Sequence, residues 1–233
     1  MMLIEVFSDV VCPWCAIGKR RLETALAAFD HADEVEVRWR AYELDPRAPV
    51  RRDGDYATRL AAKYGMSRAQ AVAANARLTA LGAAEGLDFH FERVRPGNTF
   101  DAHRLLHFAL EGGSGLQGAL KEALLRAYFT DGAPIGERET LVSVATAVGL
   151  DRQGCEEVLG GDRYGEAVRA DEHEALELGI TGVPFFLVDR RFAVPGAQDA
   201  DTIRRVLDRA WEKGHGGTVG PTAAAGDGDS CPR

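Results

Sequence analysis

Residues 3–15 read Leu-Ile-Glu-Val-Phe-Ser-Asp-Val-Val-Cys-Pro-Trp-Cys and end in two closely spaced cysteines. This stretch begins with a short apolar run from Leu3 to Phe7, which predicts a buried strand. An amphipathic pattern follows over residues 13–29 and predicts a helix. Its apolar residues recur at i, i+3, i+4 and i+7, as Leu22, Ala25, Leu26 and Phe29. Cys12 and Cys15 therefore lie where a strand ends and a helix begins.

The position of Cys12 at a helix N-terminus favours a reactive thiol. Unpaired N–H groups and the helix dipole favour negative charge there, so we expect the Cys12 thiolate to form below neutral pH, against about 8.5 for a free cysteine. Pro13 fits the first helical position, where its missing N–H costs nothing. Cys15 lies one turn further on, within reach of a mixed disulfide at Cys12. We predict that both are catalytic, with Cys12 facing solvent as the attacking thiol and Cys15 as the resolving one.

Two other interpretations of the cysteine pair remain open. A CxxC motif is often half of a zinc site, but zinc usually needs a second pair of Cys or His ligands. Cys155 and Cys231 are single and far apart, and the sequence has no second CxxC. An inert pair of thiols is the other alternative. The strand–CxxC–helix context favours redox chemistry through a Cys12–Cys15 disulfide, with no metal.

Composition narrows the class of protein. The chain has 233 residues, enough for one large or two small domains, and 45% hydrophobic with 27% charged residues is ordinary for a soluble globular chain. The net charge of −8 argues against nucleic acid as a partner. No apolar run approaches the ~18 residues of a membrane span, and the N-terminus has no basic segment or cleavage site. We expect a cytoplasmic protein, where a CxxC is more often catalytic than structural.

The remaining elements predict one α/β domain interrupted by helices. Residues 34–42 alternate as a half-buried strand, which completes a βαβ unit with parallel pairing. Helical patterns then fill about 125 residues before strands return at 183–188 and 192–194, joined by a turn at Asp189-Arg190, and a last helix follows. The expected organisation is a sheet domain in two parts (1–52 and 179–213), a helical insertion that packs as a cap over the sheet (53–178) and a disordered tail (214–233).

Two motifs carry a resemblance to a known family. Cys12-Pro13-Trp14-Cys15 after Phe7-Ser8-Asp9, and Gly179-Ile180-Thr181-Gly182-Val183-Pro184-Phe185-Phe186, resemble the DsbA-type thioredoxin fold with its helical insertion. The resemblance covers residues 3 to about 212. Within this family, the chain is most similar to the FrnE proteins, which are cytoplasmic disulfide oxidoreductases or isomerases linked in some actinomycetes to polyketide pathways. The resemblance implies a cis Val183–Pro184 bond beside Cys12, where the Val183 backbone pairs with an incoming peptide.

The chain departs from the family pattern in two places. Thioredoxin-like proteins often carry a buried acid six residues before the first cysteine, and here that residue is Val6. The nearby Glu5 and Asp9 could relay a proton to or from Cys15, or could be solvated or capping carboxylates. Either one, if ionised and close, would oppose the low pKa expected for Cys12. Some relatives carry a second cysteine pair near the C-terminus, whereas this chain has only Cys231 there.

Three other residues have weaker signals. His103, in the stretch Asn98-Thr99-Phe100-Asp101-Ala102-His103-Arg104, resembles a residue lining the cleft of the glutathione-using relatives, although a solvated helix start is the alternative. Trp14 is expected to contact substrate together with Pro13, and could equally belong to the core. Cys155 falls in a helix and is expected to be a small buried hydrophobe. The predicted substrate-binding residues are thus Pro13, Trp14, His103, Val183 and Pro184.

Three functions compete at this point. The first is dithiol–disulfide exchange with a protein or small-molecule thiol substrate, by a monomer or a homodimer, with glutathione as a candidate co-substrate. The second is a glutathione-dependent isomerase or transferase, similar to 2-hydroxychromene-2-carboxylate isomerase and the kappa-class transferases. Those relatives usually carry serine at the position of Cys12, so the CxxC motif argues against this function. The third is a binding role in which the thiols are incidental.

Overall fold

A computed structural model describes residues 1–52, 54–215 and 229–232. Its strands in chain order are β1 (Met2–Ser8), β2 (Val35–Ala41), β3 (Gly182–Val183), β4 (Phe185–Val188), β5 (Phe192–Pro195) and β6 (Cys231–Pro232). The helices of the described residues are α1 (Pro13–Ala27), α2 (Tyr56–Tyr64), α3 (Arg68–Ala84), α4 (Phe100–Glu111), α5 (Ser114–Phe129), α6 (Arg138–Ala147), α7 (Arg152–Gly160), α8 (Gly165–Glu177) and α9 (Ala200–His215). The predicted order, with a helical insertion between two parts of a sheet, is confirmed.

Four strands form a mixed sheet in the order β2-β1-β4-β5. β1 and β2 pair in parallel, as the predicted βαβ unit requires, and β4 is antiparallel to both β1 and β5. Asp189 and Arg190 form the predicted turn between β4 and β5, and both have positive φ angles of 48° and 54°. Such angles match the right-handed twist of a tight hairpin.

Helices cover both faces of this sheet. Because side chains alternate along β1, Ile4 and Val6 face a core shared with α1 and α9, whereas Phe7 faces the opposite side, where it packs near Ala175 of α8. A second core lies within the helical insertion and includes Ala16 of α1. The insertion is therefore joined to the sheet domain through α1 and α8 and does not stand apart as a separate unit.

The helical insertion also protects the exposed edge of β2. Gln117 of α5 accepts a hydrogen bond from the Trp39 amide and donates one to the Trp39 carbonyl, both at 2.9 Å. Asp171 of α8 accepts from the Ala41 amide at 2.8 Å. An edge strand with free backbone groups invites pairing with another chain, and these side chains satisfy the groups instead. The insertion thus lies along the sheet edge as well as over one face.

Side chains cap two helices of the insertion. Asp55 caps α2 and Gly65 ends it at a positive φ of 62°, and the Ser67–Gln70 capping box opens α3. The helix α4 follows Thr99 and has Asp101 within its first turn. Among the described residues, no helix is both long enough and apolar enough to cross a bilayer.

The C-terminal segment differs from the expectation of a disordered tail over 214–233. Gly214 still belongs to α9, and Cys231–Pro232 form β6, which pairs antiparallel with β3. The prediction was wrong here because a two-residue pairing with a distant strand leaves no periodic pattern in the sequence. Residues 216–228 and 233 lie outside the described residues. The boundaries proposed between the sheet domain and the insertion stay predictions.

Candidate active site

Cys12 is the N-cap residue of α1. Its extended backbone (φ −95°, ψ 114°) precedes Pro13 at the first helical position, as the sequence predicts. The Cys12 sulfur accepts a hydrogen bond from the Cys15 amide at 3.3 Å, so an orphan N–H of the first helical turn points at the thiol. This contact stabilises a thiolate at Cys12 relative to a thiol. Both cysteines are thiols in this structure and have no exposed surface.

The loop before β4 closes over the cysteines from the sheet side. The Val183–Pro184 peptide bond is cis, which confirms the geometry that the sequence resemblance implies. The Cys12 thiol donates to the Val183 carbonyl at 3.5 Å. Gly18 of α1 allows this approach, because a Cβ at that position would lie 2.8 Å from Cγ of Pro184. The structure therefore brings Cys12, Cys15, Val183 and Pro184 together.

Cys12 is fully buried and packs in one cluster with Cys231 of the C-terminal segment, which corrects the expectation that this thiol faces solvent. Cys231 is opposite Val183 in the β3–β6 register and belongs to the same apolar cluster as Cys12 and Cys15. Cys231 is itself only 8% exposed. Three of the four cysteines therefore meet at one place, although Cys231 is more than 200 positions away in the sequence. Sequence reasoning noticed Cys231 only as a single residue in the tail.

Burial also changes the acidity expected for Cys12. Its removal from water raises the pKa of the Cys12 thiol well above the usual range, and the neighbouring thiols of Cys15 and Cys231 raise it further. The prediction of a thiolate below neutral pH is therefore wrong for this arrangement. The helix N-terminus and the Cys15 amide favour a lower pKa, as predicted, but the burial of the Cys12 thiol outweighs them.

Asp9 and His103 form a buried pair beside the cysteines. Nε2 of His103 lies 3.3 Å from Oδ1 of Asp9, and the other carboxylate oxygen accepts from the Leu44 amide at 2.7 Å. Burial raises the pKa of Asp9, but the hydrogen bonds and the nearby positive charges outweigh it, so the net pKa is lowered. Burial lowers the pKa of His103 despite its contact with Asp9. At neutral pH, a neutral His103 ring thus donates to an ionised Asp9.

His103 does not line the cleft, although the sequence resemblance suggests that it would. Its side chain is 1% exposed and is absent from the lining of the cleft, whereas Asp9 and Thr99 are part of that lining. The alternative of a solvated helix start is therefore wrong, and the His103 ring contacts Asp9, while a contact between His103 and substrate stays a prediction. The physical reason is that His103 falls on the inward face of α4, one turn after its start.

Lys121 of α5 is a residue of this site that sequence reasoning missed. It has no exposed surface, and its Nζ lies 3.5 Å from the Ser8 carbonyl and 5.5 Å from the centroid of the Trp39 ring. Burial lowers the pKa of Lys121 to about 8, against attraction from Cys15, Asp9 and Cys12. The signal in the sequence is a lysine next to Leu120 on the apolar face of a helix.

The two acids considered as proton relays lie in different surroundings. Glu5 is 2% exposed and is held by Arg40 at 2.9 Å and Arg190 at 3.1 Å, in a network that links β1 to α8. The ion pairs of Glu5 therefore hold the sheet and α8 together. Asp9 lies at the cysteine end of β1, next to His103 and Lys121. Of the two, only Asp9 is placed near the thiols.

A cleft of about 560 Å³ opens beside the motif, between α1 and the first helices of the insertion. Pro13 and Trp14 line this cleft, and their contact with substrate stays a prediction. Most of its wall is apolar, and basic side chains lie around it. Among the residues that the structure describes, no group of three or more His, Cys, Asp or Glu side chains is arranged to hold a metal ion. The lining includes Val11, Leu44, Arg52, Tyr56, Leu60, Lys63, Tyr64, Arg77 and Cys231.

Solved structures with this architecture include redox proteins. A probable DsbA oxidoreductase from Streptomyces coelicolor is 43% identical, with a TM-score of 0.87 over 100% of this chain and 99% of that one. A 2-hydroxychromene-2-carboxylate isomerase is 16% identical, with a TM-score of 0.67 over 91% and 97% of the two chains. The cytosolic disulfide reductase DsbM from Pseudomonas aeruginosa, solved with GSH, is 21% identical, with a TM-score of 0.62 over 90% and 99%.

A family model gives the most general result. The model of the DSBA-like thioredoxin domain matches residues 3–208, which include the CxxC motif, the helical insertion and the cis-proline loop. The insertion, the mixed sheet and the site geometry described above agree with that match. The chain belongs to the DSBA-like thioredoxin domain family.

Proposed function

We propose that the protein exchanges thiols and disulfides through Cys12 and Cys15. The observation that carries this proposal is the place of the Cys12 sulfur, 3.3 Å from the Cys15 amide at a helix N-terminus and 3.5 Å from the Val183 carbonyl beside the cis-proline. An incoming chain that displaces Cys231 from Val183 would pair with this backbone next to the nucleophile. Membership of the DSBA-like family supports oxidoreductase chemistry in general.

In the proposed reaction, the Cys12 thiolate attacks one sulfur of a substrate disulfide, and the other sulfur leaves as a thiolate. Cys15 then attacks Cys12, forms the Cys12–Cys15 disulfide and releases the second substrate thiol. Lys121, with a pKa lowered to about 8, is placed to exchange a proton near Cys15 at neutral pH. Oxidation of a substrate dithiol follows the same steps in reverse.

Glutathione is the co-substrate that we propose for regeneration. The cleft of about 560 Å³ beside Cys12 lies within the range of roughly 300–1,000 Å³ typical of small-molecule sites. Lys63 and Arg77 on its lining complement the carboxylates of such a peptide. The likeness to a cytosolic disulfide reductase solved with GSH supports this choice and a cytoplasmic location. The FrnE-type assignment, a polyketide-pathway substrate and a monomeric or dimeric state stay predictions.

A glutathione-dependent isomerase is the second candidate. The cleft and the likeness to 2-hydroxychromene-2-carboxylate isomerase favour it. Such a reaction needs one group that binds or activates glutathione, and it gives Cys15 no role. Loss of activity on replacing Cys15 would therefore separate disulfide exchange from this alternative.

The test of the proposed function is insulin reduction with glutathione as the electron donor. Cys12→Ser should reduce the rate to that of glutathione alone, because serine cannot form the mixed disulfide. Cys155→Ser is the matched control, since it removes an equally buried cysteine from α7 and should keep the wild-type rate. A Cys12→Ser protein with wild-type activity would refute the proposal.

A further inference from the structure

The described part of the C-terminal segment, Asp229–Pro232, occupies the position next to Cys12 where a substrate chain would pair. Cys231 is opposite Val183 and Pro232 is opposite Gly182, in an antiparallel register. Asp229 accepts a hydrogen bond from the Ala197 amide at 2.7 Å, and Lys63 donates to the Pro232 carbonyl at 3.3 Å. Both ends of this short segment are therefore held in place.

Gly182 makes the close approach of this segment geometrically feasible. A Cβ at position 182 would lie 3.0 Å from the Cys231 carbonyl oxygen and 3.0 Å from Oγ of Ser230. With a larger residue at this position, the neighbouring atoms would have to shift by a few tenths of an ångström. The glycine thus fits a chain that lies directly against β3, and the chain found there carries a cysteine in register with Val183.

Cys231 also shares the apolar cluster of the two motif cysteines. Cys12, Cys15, Val183 and Cys231 pack together, and Cys231 keeps only 8% of its surface exposed. The Cys231 thiol is close enough to Cys12 to raise the pKa of the Cys12 thiol. Cys155, in contrast, lies in the core of the helical insertion.

We propose that Cys231 is a third redox-active thiol, which forms a disulfide with Cys12 in place of Cys15 or a substrate. This inference rests on the proposed function, because it requires that Cys12 take part in thiol–disulfide exchange. The C-terminal segment is then an internal substrate that competes with external chains for Val183.

The chemical step is an exchange with no net oxidation. When Cys12 and Cys15 form a disulfide, the Cys231 thiolate attacks the Cys12 sulfur. The Cys12–Cys231 bond forms as the Cys12–Cys15 bond breaks, and Cys15 leaves as a thiolate that takes up the proton lost by Cys231. When Cys12 instead carries an external thiol, the same attack releases that thiol. In either case one disulfide replaces another, so no further oxidant is needed.

The experiment uses glutathione disulfide and the Cys15→Ser protein. Glutathione disulfide should place one glutathionyl group on Cys12, and Cys231 should displace it because a tethered thiol has an effective concentration on the order of millimolar. After an acid quench and trypsin digestion, peptides 1–19 and 214–233 should be found joined by a disulfide. The Cys15→Ser/Cys231→Ser protein should instead keep glutathione on Cys12. Cys15→Ser/Cys155→Ser is the matched control and should behave as Cys15→Ser does.

The outcomes separate the two proposals. If Cys15→Ser keeps its glutathionyl group as fully as Cys15→Ser/Cys231→Ser does, the proposed role of Cys231 is refuted. Cys12 is still shown to be reactive in that case. If the variant without Cys231 takes up no glutathione on Cys12, then the proposed function fails, and the inference fails with it. Circular dichroism of each variant confirms that a change in disulfides does not come from unfolding.

Discussion

Cys12 and Cys155 are equally buried, with no exposed surface, yet they lie in very different regions. Cys12 lies at a helix N-terminus with two other cysteines, an ionised carboxylate and a buried lysine close by. Cys155 lies within α7 in the core of the insertion, where burial raises the pKa of its thiol. Burial and residue type therefore do not distinguish Cys155 from Cys12, the proposed nucleophile, whereas the groups around each cysteine do.

The largest effect is expected on removing both thiols that can release a substrate from Cys12. Cys15→Ser/Cys231→Ser should form mixed disulfides at Cys12 and lose insulin-reducing turnover by roughly a hundredfold or more, because an internal thiol acts at far higher effective concentration than a free one. Mass spectrometry of the protein during turnover measures the trapped species. Full turnover in this variant would contradict the prediction, because it would show that the thiols beside Cys12 are not needed to release a substrate.

The next effect concerns the buried charge in the Cys12 region. Burial lowers the pKa of Lys121 from its ordinary 10.5 to about 8, so the unfolded chain binds this proton more tightly than the folded one. Below about pH 8 the charged lysine destabilises the fold by about 3 kcal/mol, and this cost is lost as the pH rises towards 10.5. Lys121→Met should raise the free energy of unfolding at pH 7 by about 1–3 kcal/mol and should slow exchange.

Urea unfolding at pH 7 and pH 9 measures this difference. The wild-type protein should gain stability relative to Lys121→Met as the pH rises over that interval. Lys213→Met, near the C-terminal end of α9 and over the Phe192 ring, serves as the control for loss of a lysine. A Lys121→Met protein that is less stable than wild type at pH 7 would contradict this prediction, because it would show that the buried lysine stabilises the fold.

These two regions also show what the sequence could and could not predict. The strand, Pro13, the CxxC spacing and the Val183-Pro184 pair are local signals, and each was found in the expected place. The caps of α2 and α3 at Asp55 and Ser67 are equally local, since a cap depends on residues within one turn. Elements whose geometry depends on near neighbours were therefore predictable.

The remaining site residues depend on contacts between distant parts of the chain. Lys121 and His103 point inward because α5 and α4 pack against the sheet domain, and no spacing rule connects them to Cys12. Glu5 and Asp9 are four positions apart and look alike in the sequence, but only the fold places two arginines beside the first and a histidine beside the second. Cys231 reaches the site through two paired residues, too few to give a pattern.

A smaller effect is expected on the acidity of Cys12. Burial first, and then the thiols of Cys15 and Cys231, raise the pKa of Cys12. Cys231→Ser removes one of these thiols, so the pKa of Cys12 should fall relative to wild type, and its thiolate should persist to lower pH. Thiolate absorbance of the reduced proteins followed against pH measures the shift. Cys155→Ser should leave the Cys12 transition where it is, whereas an unchanged transition in Cys231→Ser would place Cys231 outside the environment of Cys12.

The most direct measurement of the central claim is the equilibrium of the protein with glutathione at a series of ratios, followed by an acid quench and disulfide mapping. We expect Cys12 and Cys15 to form a disulfide with a defined potential in or near the range from about −270 mV, as in thioredoxin, to about −120 mV, as in DsbA. A value near the first favours a reductase and one near the second an oxidase or isomerase, while Cys155 stays a thiol throughout. Cys12 and Cys15 that remain thiols at every ratio, or that oxidise no more readily than Cys155, would contradict this expectation.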